Sequence, residues 1–137
     1  AAEKAYVAYA RVSDEIGNQG GSDAARLTPF VTADWLTVEL TSYAQFAKTG
    51  DSFAGSTSFT TFKLQRNEET AHGANITVYV CVNLTRTREI DKAGKDVTPS
   101  TRVDIYPVVV AFTTENSESQ TLRVAGNRPW SGKNFCS

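Results

Sequence analysis

Ile76-Thr77-Val78-Tyr79-Val80-Cys81-Val82-Asn83-Leu84-Thr85 is the most regular stretch of the chain. Every second residue is apolar, which is the period of a strand with one face buried. Ile76, Val78, Val80, Val82 and Leu84 point one way. Thr77, Tyr79, Cys81, Asn83 and Thr85 point the other. The expected strand runs from Asn75 to Arg88, and its apolar face needs a cover.

That cover lies upstream. Ala5, Tyr9, Val12 and Ile16 recur at helical spacing within an expected helix from Ala2 to Ile16. Gly17-Asn18-Gln19-Gly20-Gly21 ends it, and Ser22 or Asp23 caps a short second helix reaching Phe30. Thr32 caps a third helix from Ala33 to Lys48, with a stripe of Leu36, Leu40, Tyr43 and Ala47 flanked by Trp35 and Phe46. Gly50 stops it.

From Asp51 the period changes. Phe53 to Arg66 is rich in β-branched and aromatic residues, but Phe59, Phe62 and Leu64 break strict alternation, which calls for a bulge. Asn67 to Gly73 reads as a polar turn. Asp91 to Asp96 reads as a tight polar connection through Gly94. Arg102 to Glu115 is the next strand, with Pro107 marking an edge or a bulge. Asn116 to Glu118 turns the chain, and Gln120 to Ala125 pairs back. The sum is one α+β domain over residues 1–137, helical over 1–50, with an antiparallel sheet of about four strands and a C-terminal tail over 51–137.

At 137 residues such a domain buries roughly two-thirds of its unfolded surface. Net charge is −1, with basic and acidic residues interspersed. No basic stripe points to nucleic acid, and no polybasic cluster points to an anionic membrane. No apolar run, Val108 to Phe112 included, is long enough to span a bilayer. The chain has no methionine, position 1 included. The expectation is a processed piece whose missing N-terminus is a signal peptide or membrane anchor. Two glycosylation sequons, Asn75-Ile76-Thr77 and Asn83-Leu84-Thr85, read as chance.

Cys136 is the penultimate residue, while Cys81 sits in the regular strand. The expected arrangement is a disulfide tying the tail to the sheet face opposite the helices; the alternative is two independent thiols. A bond closing about 55 residues contributes about 4 kcal/mol in the chain-entropy model. It also implies an oxidising compartment. With one histidine and no close cysteine pair, no metal site is expected.

In this order the pieces resemble the nuclear transport factor 2-like (cystatin-like) fold, and in particular secreted and lipoprotein domains of actinobacteria. The features that carry the resemblance are Ala5-Tyr6-Val7-Ala8-Tyr9, a Gly-rich break, and a second helix ending near Phe30-Val31. A third helix ends in Lys48-Thr49-Gly50, and Ala54-Gly55 enters the first strand. Val80-Cys81-Val82-Asn83-Leu84-Thr85, Asp91-Lys92-Ala93-Gly94-Lys95, and Trp130 followed by Cys136 complete the set. Asn83 stands where that group often has an Asp. The resemblance implies a cone whose mouth can hold a small apolar ligand, with Tyr9, Tyr43, Phe46, Phe59 and Phe62 as possible lining.

Asp104, near Tyr106, is the candidate pocket acid for acid–base chemistry. Its alternation with Val103 and Ile105 instead sends it to solvent. His72, in the polar turn, lacks a nucleophile partner, and Asp14-Glu15 reads as a solvated helix end. No catalytic residue and no cofactor is assigned. The expected function is an extracytoplasmic, non-enzymatic binding or assembly module of the bacterial cell envelope, bound to a protein partner or a small apolar ligand. One alternative is a small-molecule binder or isomerase-like enzyme using the cone pocket. Another is a periplasmic scaffold domain of a type IV secretion or conjugation system.

Overall fold

The computed structural model describes residues 1–70, 73–114 and 121–136. His72, the expected turn at Asn116 to Glu118, and Gln120 lie outside the described residues. Helix α1 (Ala2–Asn18), a 3-10 helix (Ala24–Phe30) and helix α2 (Ala33–Thr49) come first. Strands β1 (Ser52–Gly55), β2 (Ser58–Thr70), β3 (Gly73–Asn83), β4 (Thr87–Ile90), β5 (Ile105–Thr114) and β6 (Leu122–Pro129) follow. β2-β3-β5-β6 form a four-stranded antiparallel sheet, and β1 and β4 form a separate antiparallel pair. The class is α+β, with helices packed on a mostly antiparallel sheet.

β3 is the centre of the core. Val78, Val80 and Val82 are buried beside Val108, Val110 and Phe112 of β5 and Val124 of β6. They pack against Tyr6, Tyr9 and Ile16 of α1, Leu27 of the 3-10 helix, and Trp35 of α2. Tyr79 and Cys81 lie on the opposite face. Trp130 and Phe135 of the tail meet the Tyr79 ring edge-on, with centroids 5.2 and 5.8 Å away. Cys81 and Cys136 are bonded, with Cα atoms 5.6 Å apart. Trp130 lies against the backbone of Gly132, where any Cβ would overlap its indole.

The helix readings hold with displacements. Thr32 does cap α2, its hydroxyl accepting from the Trp35 amide at 3.2 Å, and Gly50 ends it in the left-handed conformation. The buried face of α2 is, however, Trp35, Leu36, Glu39, Tyr43 and Phe46, while Leu40 and Ala47 are exposed. Burying the large Trp35 ring outweighs burying Leu40, so the face rotates toward it. The second helix is a 3-10 turn without a side-chain cap, and Asp23 itself is left-handed. Pro29 inside it lacks the amide hydrogen that an α-helical ladder needs.

Two expected long strands are each divided. Phe53 to Arg66 splits at Gly55, whose left-handed backbone passes so close to the Arg86 carbonyl that no side chain fits. The bulge is present: the β2–β3 register shifts between Thr60 and Lys63, and Thr61 has φ 58°. That inserted residue explains the broken alternation. Phe59 and Phe62, three apart, both reach the core, and both meet Tyr6 edge-on. The reading of Asn67 to Gly73 as a turn is corrected, since β2 continues to Thr70.

Asn75 to Arg88 splits where Asn83 Oδ1 accepts from the Thr85 amide and hydroxyl, an Asx turn that ends β3. The chain then forms β4. Asp91 to Lys95 closes as expected, with Gly94 at φ 85°. Pro107 is a correction. It lies in an interior strand, paired with Cys81, and the nearby register shift is at Ala111/Phe112 instead. Leu84 donates to the Asp104 carbonyl, which by alternation turns the missing Pro107 donor away from β3. It faces β6 where that strand ends at Pro129.

Candidate functional site

A cleft of about 230 Å³ opens between α1 and the helix-facing side of the sheet. Tyr6, Tyr9, Ser13 and Asp14 of α1 line one wall. Val82, Tyr106 and Val108 form the floor, and Asn127 and Thr57 close the sides. α1 supplies its residues at intervals of three and four, so one helical face presents all of them. Tyr106 pairs with Val82 across β3–β5 and so shares its inward face.

The polar groups are ordered in two sets. Tyr9 donates its hydroxyl to Glu39 Oε1 of α2 at 2.7 Å, and the Asn127 amide donates back to the Tyr9 oxygen at 3.4 Å. Asp14 accepts twice from Thr57, from the amide at 2.9 Å and from the hydroxyl at 2.8 Å. This pins the β1–β2 connection to α1. Ser13 lies on the same wall, its hydroxyl buried beside that of Tyr43.

Burial raises the ionisation of Tyr6 and Tyr9 far above that of a free phenol. The Asp14 and Glu39 carboxylates add to this for Tyr6, and Glu39 for Tyr9. The Asn127 amide opposes it. Tyr106 is also raised, through burial, against the pull of Arg102. All three hydroxyls are therefore neutral hydrogen-bonding groups at physiological pH. Burial raises Glu39 as well, opposed by the Tyr9 hydroxyl and by the Trp35 indole dipole. The Trp35 N–H itself makes no hydrogen bond of ordinary geometry.

Of the expected lining residues, Tyr9 lines this cleft. Phe59 lines a neighbouring groove along α1. Phe62 lies behind Tyr6, edge-on at 5.7 Å. Tyr43 is half-buried and donates to the Ser13 carbonyl at 3.4 Å, with burial pushing its ionisation up to about 12. Phe46 stacks on Phe53, centroids 4.9 Å apart, away from the cleft. Asp104 precedes β5, is exposed, and accepts from Arg102 Nε at 2.8 Å. That arginine also donates to the Leu84 and Thr87 carbonyls, clipping β4 in place.

Asp14 corrects the reading of a solvated helix end: it is half-buried and engaged. Tyr6, Asn127 and Glu39 were not singled out as site residues, and Tyr106 was named only as the tyrosine near Asp104. Tyr6 carried a signal, standing three residues before Tyr9 on one helix. Glu39 carried none, because a glutamate in mid-helix reads as solvated by default.

Among the described residues, no group of three His, Cys, Asp or Glu could hold a metal ion. No described helix is long and apolar enough to cross a membrane. No family model, curated protein or solved structure matches the chain.

Proposed function

We propose that the protein is an extracytoplasmic, non-enzymatic binding module of the bacterial cell envelope, and that the tyrosine-lined cleft is its binding element. The cleft carries this reading. It combines apolar walls with a few convergent polar groups, the common make-up of a small-molecule site. The Cys81–Cys136 bond supports the compartment, because such bonds persist where thiols are not kept reduced. The resemblance to secreted nuclear transport factor 2-like domains belongs to the same proposal.

An isomerase-like reading draws on one observation, the Glu39–Tyr9 pair. Its weakness is directional: the Tyr9 proton is already donated to Glu39, away from the cleft.

The test is heteronuclear NMR of the oxidised protein against a diverse fragment library. Saturable shifts clustered at Ala10, Tyr106 and Asn127 are expected. No fragment shifting these residues would sink the binding reading. Two free thiols in unreduced protein from its native host would sink the compartment.

A further inference from the structure

We propose that the free edge of β2 docks a second copy of the chain, the two β2 strands pairing antiparallel about a two-fold axis at Asn67. The inference goes beyond the binding reading above and does not use the cleft.

The two edges of the four-stranded sheet, β6 and β2, are treated differently. β6 is closed: Val31 bridges to Val124, and the Thr32 amide donates to the Val124 carbonyl at 2.9 Å. β2 is open. It is 13 residues long, where strands commonly have about five or six. Residues 63–70 are all exposed. Among the described residues, no backbone hydrogen bond reaches residues 58–69 except across the β2–β3 pairing. Every second residue of an edge strand turns its N–H and C=O away from the sheet, so this edge is a template for another strand. Native edges are often blunted by proline or by bulges. β2 contains no proline, and its register shifts fall before Arg66, so residues 66–70 run regularly.

Charge selects the occupant. Lys63 pairs with Tyr79, Arg66 with Thr77 and Glu68 with Asn75, so all three share the outer face of the sheet. Along that face the order is basic, basic, acidic, and Glu69 adds a second acid on the inner face. An antiparallel copy reverses this order and lays each basic half on an acidic half. With Asn67 on the axis, Arg66 of each copy faces Glu68 of the other. The Arg66–Glu68 pair within one strand, 3.1 Å apart and largely exposed, then becomes half of a four-charge cluster of alternating sign. Alone, such an exposed pair contributes little. A slip that sets Arg66 or Glu68 against its own copy brings like charges together, and so does parallel pairing in register. The pattern thus fixes direction and register. An unrelated strand would need only opposite charges; an order that complements its own reversal is what a two-fold axis requires.

The experiment is sedimentation equilibrium of the oxidised full chain from about 10 µM to 1 mM in about 0.1 M salt, the range for a narrow and weak interface. A monomer–dimer equilibrium that weakens with added salt is expected. Arg66→Glu and Glu68→Arg each turn both cross-strand pairs repulsive and are each expected to weaken the dimer about tenfold. An equimolar mixture of the two variants restores opposite charges at both pairs and is expected to associate at least as tightly as the original chain. A monomer across the whole range overturns the proposal. So does a dimer that both variants leave intact, since it uses another surface, or a mixture no tighter than its components. Should a variant fail to fold, the original chain carries a second readout. Amide exchange over residues 66–69 is expected to slow as concentration rises, and exchange there that ignores concentration overturns the proposal.

Discussion

The two faces of the four-stranded sheet are covered in different ways. The inner face buries Val78, Val80, Val82, Val108, Val110, Phe112 and Val124 under two helices and a 3-10 turn. Each such side chain contributes about 1.5–3 kcal/mol on full burial. The outer face at Tyr79 and Cys81 is covered by a short tail. Trp130 and Phe135 there remain 39% and 47% exposed, and Asn134 adds one hydrogen bond to the Ile105 carbonyl at 2.9 Å. Ordering a backbone costs about 1–2 kcal/mol per residue. Two half-exposed rings and two hydrogen bonds of about 1 kcal/mol net each, that of Asn134 and that of the Trp130 amide to the Pro107 carbonyl, do not offset that over Trp130 to Cys136. The inner cover holds by area; the outer cover needs the covalent bond.

The largest test of this contrast removes the inner cover. A fragment beginning at Asp51 loses α1, the 3-10 helix and α2 but keeps both cysteines and strands β1 to β6. It is expected to show no cooperative thermal transition by circular dichroism, because Val78, Val80 and Val82 lose their partners. A cooperative transition in that fragment would mean that the stapled sheet is self-sufficient and the contrast is false.

Removing the outer cover is the milder perturbation. Cys136→Ser is expected to lower stability by about 2–4 kcal/mol, mostly through the freed unfolded chain. Native hydrogen exchange should rise over Trp130 to Phe135 and stay low at Val80 and Val110. Fast exchange at those inner positions would show that the two covers are coupled rather than separate.

The inner face was legible because β3 alternates strictly and its partners are helices with apolar stripes. The staple was legible because a terminal cysteine has few bland explanations. Two things hid the cleft. One is geometric: residues such as Asn127 and Tyr106 meet α1 only through the pairing of β5 with β3 and β6, which no local period encodes. The other is the short strands. Gly55 and Asn83 divide apparently continuous strands, and β1–β4 pairing is long-range, so the Gly55–Thr57 connection that closes the cleft against Asp14 had no signature in the sequence. Asp104 was placed in a strand that begins one residue later, at Ile105. Its exposure there follows from the Arg102 clip rather than from alternation.

The smallest effect concerns a carboxylate within the inner cover. Glu39 lies on the buried face of α2 with its ionisation raised above 4.5, chiefly by burial. The folded state thus holds this proton more tightly than the unfolded chain does. As pH rises above 4.5 the unfolded chain releases its proton first, so this group's contribution to stability falls until the folded carboxyl also ionises. Asp96, lowered by Arg88, acts in the opposite sense, and its window lies below 3.8. Glu89 is raised by burial and by Asp51 and shares the sign of Glu39, but it is unchanged in a Glu39 variant. Glu39→Gln retains an oxygen to accept from Tyr9 and removes the titration. Melting temperatures of the two proteins between pH 4 and 7 should therefore diverge with rising pH, the variant gaining a few degrees by neutrality. Parallel curves would place Glu39 in solvent and make the inner cover as open at that edge as the tail is on the other face.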